Sequence, residues 1–193
     1  MLDWLESIDR DIVLFVNGMH NPFMDELMWI ISAKLTWIPF YMLLLYLFYR
    51  KSSWKDTGLF LLVAIAVVGL SDFISSQVIK ESVMRYRPSH HSLLTDRLHF
   101  YTLSNGEPYK GGMYSFVSSH AANFFAICTF AYLSLREWYS KAVWLFGIAA
   151  IVSFSRLYLG VHYVSDLVCG GFLGAVFAWL LYQFVFLRIR TKV

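Results

Sequence analysis

Charge is what this sequence most conspicuously lacks. Asp, Glu, Lys and Arg make up 15% of its 193 residues, where a soluble domain carries about a quarter. The scarcity is uneven, since stretches such as LFLLVAIAVVGLS and CGGFLGAVFAWLL hold no charge at all. That excludes an ordinary soluble fold and points to a membrane protein. An excess of one sign is missing too. The net charge of +3 is scattered, which argues against a nucleic-acid partner. Cysteine is nearly absent: Cys128 and Cys169 each lie in an apolar segment and read as small buried hydrophobes rather than a disulfide or metal pair. Repeats and low-complexity tracts are lacking. The opening MLDWLESIDRDIVLFV carries acids where a signal peptide would be basic and shows no small-residue cleavage site, so no secretory signal is expected.

Long apolar runs are what the sequence has instead. Residues 1–16 mix apolar and charged side chains at helical spacing and predict an amphipathic helix lying at an interface. NGMHNP is a turn, with Pro22 placed to open the next helix. Residues 23–49, interrupted by Lys34 and Pro39, are either one kinked span or a short interfacial helix followed by a span near 36–49. Further spans are expected at 57–79, 118–135, 142–159 and 163–187. About 20 residues cross a bilayer core. The expected fold is an all-α integral membrane protein of about five spans plus the N-terminal helix. A sixth span is added if 23–49 splits or the N-terminal helix crosses. The whole of 1–193 is read as one membrane-embedded domain. Gly170 and Gly174 form GxxxG in the last span, which reads by default as close packing within the bundle.

Loop charge sets an expected orientation. Arg50, Lys51 and Lys55 share a side with Arg136 and Lys141, and with Arg188, Arg190 and Lys192. The positive-inside tendency makes that side cytoplasmic. The opposite side carries as many cations, among them Lys80, Arg85, Arg87, Lys110 and Arg156, so a simple count ties. The first clusters decide the orientation, because they sit in short loops with few functional demands.

Threading the spans explains the second set. KESVMRYRP (80–88), VSSH (117–120) and SRLYLGVHYVSD (155–166) all fall on the same, non-cytoplasmic face. Lys80, Arg87 and Arg156 supply a point charge and two guanidinium forks, which suit a phosphoryl group. Ser118, Ser119 and His120 open a helix, whose free N–H groups also favour phosphate, although capping alone would explain one serine. His162 and Asp166 are four apart, on one face of the last helix. There the acid can hold one ring nitrogen and leave the other free and basic. His120 could protonate a leaving oxygen.

At these residues the sequence resembles the type 2 phosphatidic acid phosphatase superfamily. That family's pattern is Lys-x6-Arg-Pro, then Pro-Ser-Gly-His, then Ser-Arg-x5-His-x3-Asp. Lys80, Arg87 and Pro88 match the first element, and Ser155, Arg156, His162 and Asp166 the third. In the middle element Ser118 and His120 agree, while Val117 replaces proline and Ser119 replaces glycine. The likeness covers roughly residues 57–187, the expected catalytic bundle, and HNPFMDELM (20–28) also resembles the start of small bacterial members.

The resemblance implies that His162 is the nucleophile, Asp166 its orienting partner and His120 the acid. Lys80, Arg87, Ser118 and Arg156 would hold phosphate, with the Ser119 backbone assisting. It implies metal-independent hydrolysis of a lipid-linked phosphate or diphosphate through a phosphohistidine, with no cofactor. The site would face outward from a bacterial inner membrane. Undecaprenyl diphosphate is the favoured substrate; phosphatidylglycerophosphate, phosphatidate and a lipid A phosphate are the alternatives. Glycine permits positive φ and serine tolerates it poorly, so either the loop enters the helix differently at Ser119 or the hydroxyl adds a donor; activity is expected to be retained, with an altered substrate preference.

Other residues carry weaker readings. Asp72, in mid-span, should face the bundle interior, in a hydrogen-bonding or a structural role. His90, His91 and His99, with Asp96 and Glu107, fit no tight metal-ligand spacing and read as solvated loop residues. Tyr109, Lys110 and Tyr114 could touch a headgroup. Two rival functions remain: a vanadium-dependent haloperoxidase, disfavoured because those are soluble and larger, and a non-enzymatic lipid-binding or transport protein, which would leave the His162–Asp166 spacing incidental.

Overall fold

The computed structural model describes residues 2–190; residue 1 and residues 191–193, Lys192 among them, lie outside the described residues. The described chain is helical, with short 3-10 turns and two isolated β-bridges but no strand. Helix α1 (Leu2–Asn17) leads into α2 (Pro22–Ser32). There Asn21 Oδ1 accepts the Met24 N–H at 3.0 Å and proline takes the first helical position. Helix α3 (Lys34–Tyr49) follows at an angle of 67°. The break falls at Ala33, whose backbone is extended, while Pro39 sits near the start of the α-helical part, where its missing N–H does no harm. The 23–49 stretch is therefore a sharply bent pair.

Helix α4 (Trp54–Val83) is capped by Ser53, whose hydroxyl accepts the Asp56 N–H at 3.1 Å. It outruns the expected 57–79 in both directions, passes through a π-helical stretch at Ile74–Ile79, and ends where Met84 turns left-handed at φ 51°. Helices α5 (Ser119–Leu135), α6 (Ser140–Tyr158) and α7 (Val164–Ile189) complete the bundle. By length and apolarity α4, α6 and α7 can each cross a membrane, and the bent α2–α3 pair adds a possible fourth span. Helix α5, at 17 residues, is shorter and lies at the centre, packed by α4, α6 and α7.

Small residues let α5 and α7 approach. A Cβ on Gly174 would lie 1.9 Å from the Ala122 carbonyl oxygen, and one on Gly170 2.5 Å from that of Ser118. The GxxxG pair thus packs inside the bundle, where van der Waals fit rather than water exclusion holds helices together. One end of the core is aromatic: Phe60 lies 4.6 Å from Phe48 and 5.1 Å from Phe130 between ring centroids. At the other end Val13, Met28, Leu94, Leu98, Leu157 and Val161 join α1, α2 and the long loop to the end of α6. Leu62, Ile65 and Phe172 are exposed on the outside, as a lipid-facing surface requires.

Helix α1 forms as expected and packs on α6 and α7, with Asp9 buried and Trp4 and Phe15 exposed. Two expectations need correction. Cys169 is exposed, whereas Cys128 is buried as expected. His162 does not lie on the last helix, which begins only at Val164.

Candidate active site

The loop from Met84 to Ser118 folds over one end of the bundle and is held by its own contacts. Tyr86 bridges to Tyr114 and Thr102 to Pro108, and Ser89 Oγ donates to the Lys110 carbonyl at 2.7 Å. Under it the expected cations meet. Lys80, near the end of α4, donates to Ser119 Oγ at 2.9 Å. Arg87 donates from Nε to the Tyr114 carbonyl at 3.0 Å. Gly111 makes room for it: its φ is +67° and a Cβ there would sit 2.6 Å from Arg87 Nη1. Arg156 donates from Nη2 to the Tyr109 hydroxyl at 2.8 Å and from Nη1 to Ser32 Oγ. Arg156 is 2% exposed and Arg87 8%. Neither they nor Lys80 form an ion pair with a carboxylate among the described residues. Burial, with Arg156 nearby, lowers the pKa of Arg87 to about 10.

Lys80, Arg87, Arg156, Ser119 and His120 line one cavity of about 860 Å³. Its far part is apolar, walled by Leu44, Leu45, Phe60, Ala64 and Val68 of α3 and α4. Met42, Leu61 and Ile65 also line it and are exposed on the bundle surface. The cavity therefore reaches the lipid-facing side between those helices.

Behind the cations lies the histidine–aspartate pair. His162, 1% exposed, occupies the turn before α7 and places Nδ1 3.4 Å from Asp166 Oδ2. Asp166 is fully buried; Oδ2 also accepts the Tyr163 N–H at 2.8 Å. Burial, then Arg87, Arg156 and Lys80, hold the His162 pKa well below the ordinary histidine value. The ring is consequently neutral at pH 7, with a lone pair available for bonding. Ser118 is fully buried and caps α5, its hydroxyl accepting the Ala121 N–H at 3.4 Å; its own N–H donates to the Asp166 carbonyl at 3.0 Å. It ties α5 to α7, while Ser119 faces the cavity. Ser119 opens α5 without positive φ, so serine replaces glycine there without backbone strain and adds a partner for Lys80. The turn into α5 includes a cis Phe116–Val117 peptide.

Arg85, Asp9 and Lys34, which carried no expected role, join this site, together with Tyr109 and Asp72, which were expected at a headgroup and in the bundle interior. Arg85 donates from Nη1 to Asp166 Oδ1 at 3.0 Å and to Ser165 Oγ at 2.7 Å, and from Nη2 to Asp9 Oδ2 at 2.9 Å. Its guanidinium lies 4.0 Å over the Tyr163 ring. Burial opposes the Arg85 charge, but Asp166 and Asp9 outweigh it and raise its pKa. Tyr109 and Lys34 line the cavity, and so does Asp72, which accepts the Asn123 Nδ2 proton at 2.8 Å. Arg85 was hidden among the unspecified positions of Lys-x6-Arg-Pro. Asp9 looked like the solvated face of an amphipathic helix. The loop histidines do not gather: His90 contacts Ser89, His91 approaches Glu6, and His99 pairs with Asp25. His99 is therefore a partnered residue rather than a solvated one.

Known proteins share this arrangement of sequence and fold. The chain is 35% identical over 185 residues to the lipid A 4'-phosphatase of Bacteroides thetaiotaomicron, covering 94% of this chain and 79% of that one. It is 30% identical to the lipid A 4'-phosphatase of Porphyromonas gingivalis, covering 99% and 78%. The crystal structure of a transmembrane phosphatidylglycerolphosphate phosphatase from Bacillus subtilis superimposes with a TM-score of 0.70 at 24% identity, over 98% of this chain and 89% of that one, and shows the same fold. The sequence profile of the PAP2 superfamily matches residues 57–190, from the first turn of α4 through α7, and takes in Lys80, Arg87, Ser118, Ser119, His120, Arg156, His162 and Asp166. On that match, and on the two relatives that share nearly its full length, the chain belongs to the PAP2 superfamily.

Proposed function

We propose that this protein hydrolyses a lipid phosphate monoester by a metal-independent route through a phosphohistidine on His162. One observation carries the reading. Three largely buried cations, unneutralised by any carboxylate contact among the described residues, surround the head of a cavity whose other end is apolar and reaches the lipid side. Buried charge without a counter-ion is costly, and a phosphate monoester would supply it while its acyl chains fill the apolar part.

In this mechanism the phosphate sits among Lys80, Arg87 and Arg156, with Ser119 beside Lys80. Nε2 of neutral His162 attacks phosphorus in line, and Asp166 stabilises the positive charge that builds on the ring. The bound phosphate dianion offsets the charge of Arg156, Lys34, Lys80 and Arg87 around His120 and lets that ring take up a proton; as the P–O bond to the lipid breaks, the protonated His120 gives it to the departing oxygen. Water then attacks the phosphohistidine, losing a proton to His120, and the P–N bond breaks to release phosphate and neutral His162. The cations stabilise charge on the equatorial oxygens throughout.

The relatives' names favour a lipid A 4'-phosphate, and the undecaprenyl diphosphate preferred from sequence finds no support among them. A phosphatidylglycerophosphate remains the second reading, from the likeness to the Bacillus subtilis fold. The site is proposed to open on the non-cytoplasmic face of a bacterial inner membrane, a reading supported by the short-loop cation clusters at Arg50, Lys51 and Lys55 and at Arg136 and Lys141. The test is phosphate release from a panel of lipid phosphates in detergent with EDTA present. Release is expected, fastest from lipid A; no release from any member of the panel would overturn the proposal.

A further inference from the structure

A second cluster of titratable groups lies away from the cavity. His20 sits in the turn between α1 and α2, Asp25 in the first turn of α2, and His99 in the long loop. Ligand atoms from all three lie within 4.8 Å of one another. His99 Nε2 is 2.9 Å from Asp25 Oδ2, and the His20 and His99 rings stack at 3.9 Å with 9° between their planes.

Buried partners hold this group in place. Asn17, 2% exposed, accepts the His99 N–H at 2.8 Å and donates to the His99 and Tyr158 carbonyls, each at 2.8 Å. The Tyr158 hydroxyl donates to Asp25 Oδ1 at 2.6 Å, leaving Oδ2 toward the histidines. A carboxylate held by an outer hydrogen bond, with its second oxygen facing imidazoles, is how ligand sets are usually supported. A simple His99–Asp25 pair would not need His20.

We propose that His20, Asp25 and His99 bind a divalent transition-metal ion of the zinc type. Two imidazole nitrogens and one carboxylate oxygen suit zinc, nickel or cobalt, with water completing the shell; magnesium and calcium prefer oxygen alone. Bonds of about 2.0–2.2 Å draw ligand atoms to roughly 3.3 Å apart in a tetrahedral site. Parallel rings cannot both point lone pairs at one ion, so the His20 ring must turn. It is exposed, and no hydrogen bond holds it among the described residues. None of the three residues lines the cavity, so the ion clamps rather than catalyses. It would tie the α1–α2 corner to the long loop and, through Tyr158, to the end of α6 that carries Arg156.

The test uses full-length protein, purified without a histidine tag and stripped of metal, with zinc chloride as the probe. One zinc per chain should bind, and Tm should rise by about 5 °C at a hundredfold excess over Kd. His20→Ala, a change at an exposed turn position, should lose most of both effects, whereas His90→Ala/His91→Ala should keep them. Phosphate release by the wild type should survive chelation below its Tm. The proposal is overturned if wild-type protein binds no zinc, or if His20→Ala binds and is stabilised like wild type.

Discussion

Asp166 faces His162 on one side and Arg85 on the other, so the orientation of the proposed nucleophile depends on a residue outside the cavity. Arg85 in turn spans Asp166 and Asp9, a reach that needs a planar fork. A charge-assisted hydrogen bond is worth about 1.5–3 kcal/mol, which converts to roughly 10–100-fold in rate. Arg85→Lys should therefore lower kcat by about that factor with little change in KM, because Arg85 does not line the cavity. Asp9→Asn should do the same more weakly. Steady-state kinetics in detergent would check this; a raised KM at unchanged kcat would show that Arg85 meets the substrate instead. Legibility at this scale was uneven for a physical reason. The spacing of His162 and Asp166 is local and survives in the sequence, whereas Arg85 and Asp9 are 76 positions apart. No local pattern of hydropathy or charge reports a contact that only the folded bundle creates.

At the scale of elements, the α5–α7 contact sets the site's shape, since α5 carries Ser119 and His120 and α7 carries Asp166. Gly174→Ala would drive a methyl into the backbone of α5, 1.9 Å from the Ala122 oxygen, and the helices must part. Gly171→Ala meets the Phe125 ring first, at 2.9 Å, and a side chain can yield. Overpacking costs about 1–3 kcal/mol or more. The first variant should thus lose several degrees of Tm and most activity, and the second much less. Thermal unfolding and phosphate release measured side by side would check it; equal losses would place the tight contact elsewhere. The helices themselves were largely legible, because apolar runs, the proline start at Pro22 and the serine start at Ser118 are local signals. The break at Ala33 was not, for neither Lys34 nor Pro39 marks the residue where the backbone becomes extended.

For the whole molecule, orientation follows if the long loop and the α3–α4 turn lie on opposite faces. With native cysteines replaced, a cysteine at the exposed Ser104 should react with an impermeant thiol reagent from outside the cell. One at the exposed Lys51 should not. The reverse pattern would put the cavity mouth on the cytoplasmic side. In the proposed mechanism His162 receives the phosphoryl group while His120 handles the protons. Rapid-quench kinetics with radiolabelled nitrophenyl phosphate tests it most directly, because that leaving group scarcely needs a proton to depart. His120→Ala should show a burst and accumulate an acid-labile label on the protein, and His162→Ala should acquire none. An acid-labile label of equal size on His162→Ala would contradict the account and place the nucleophile on another residue.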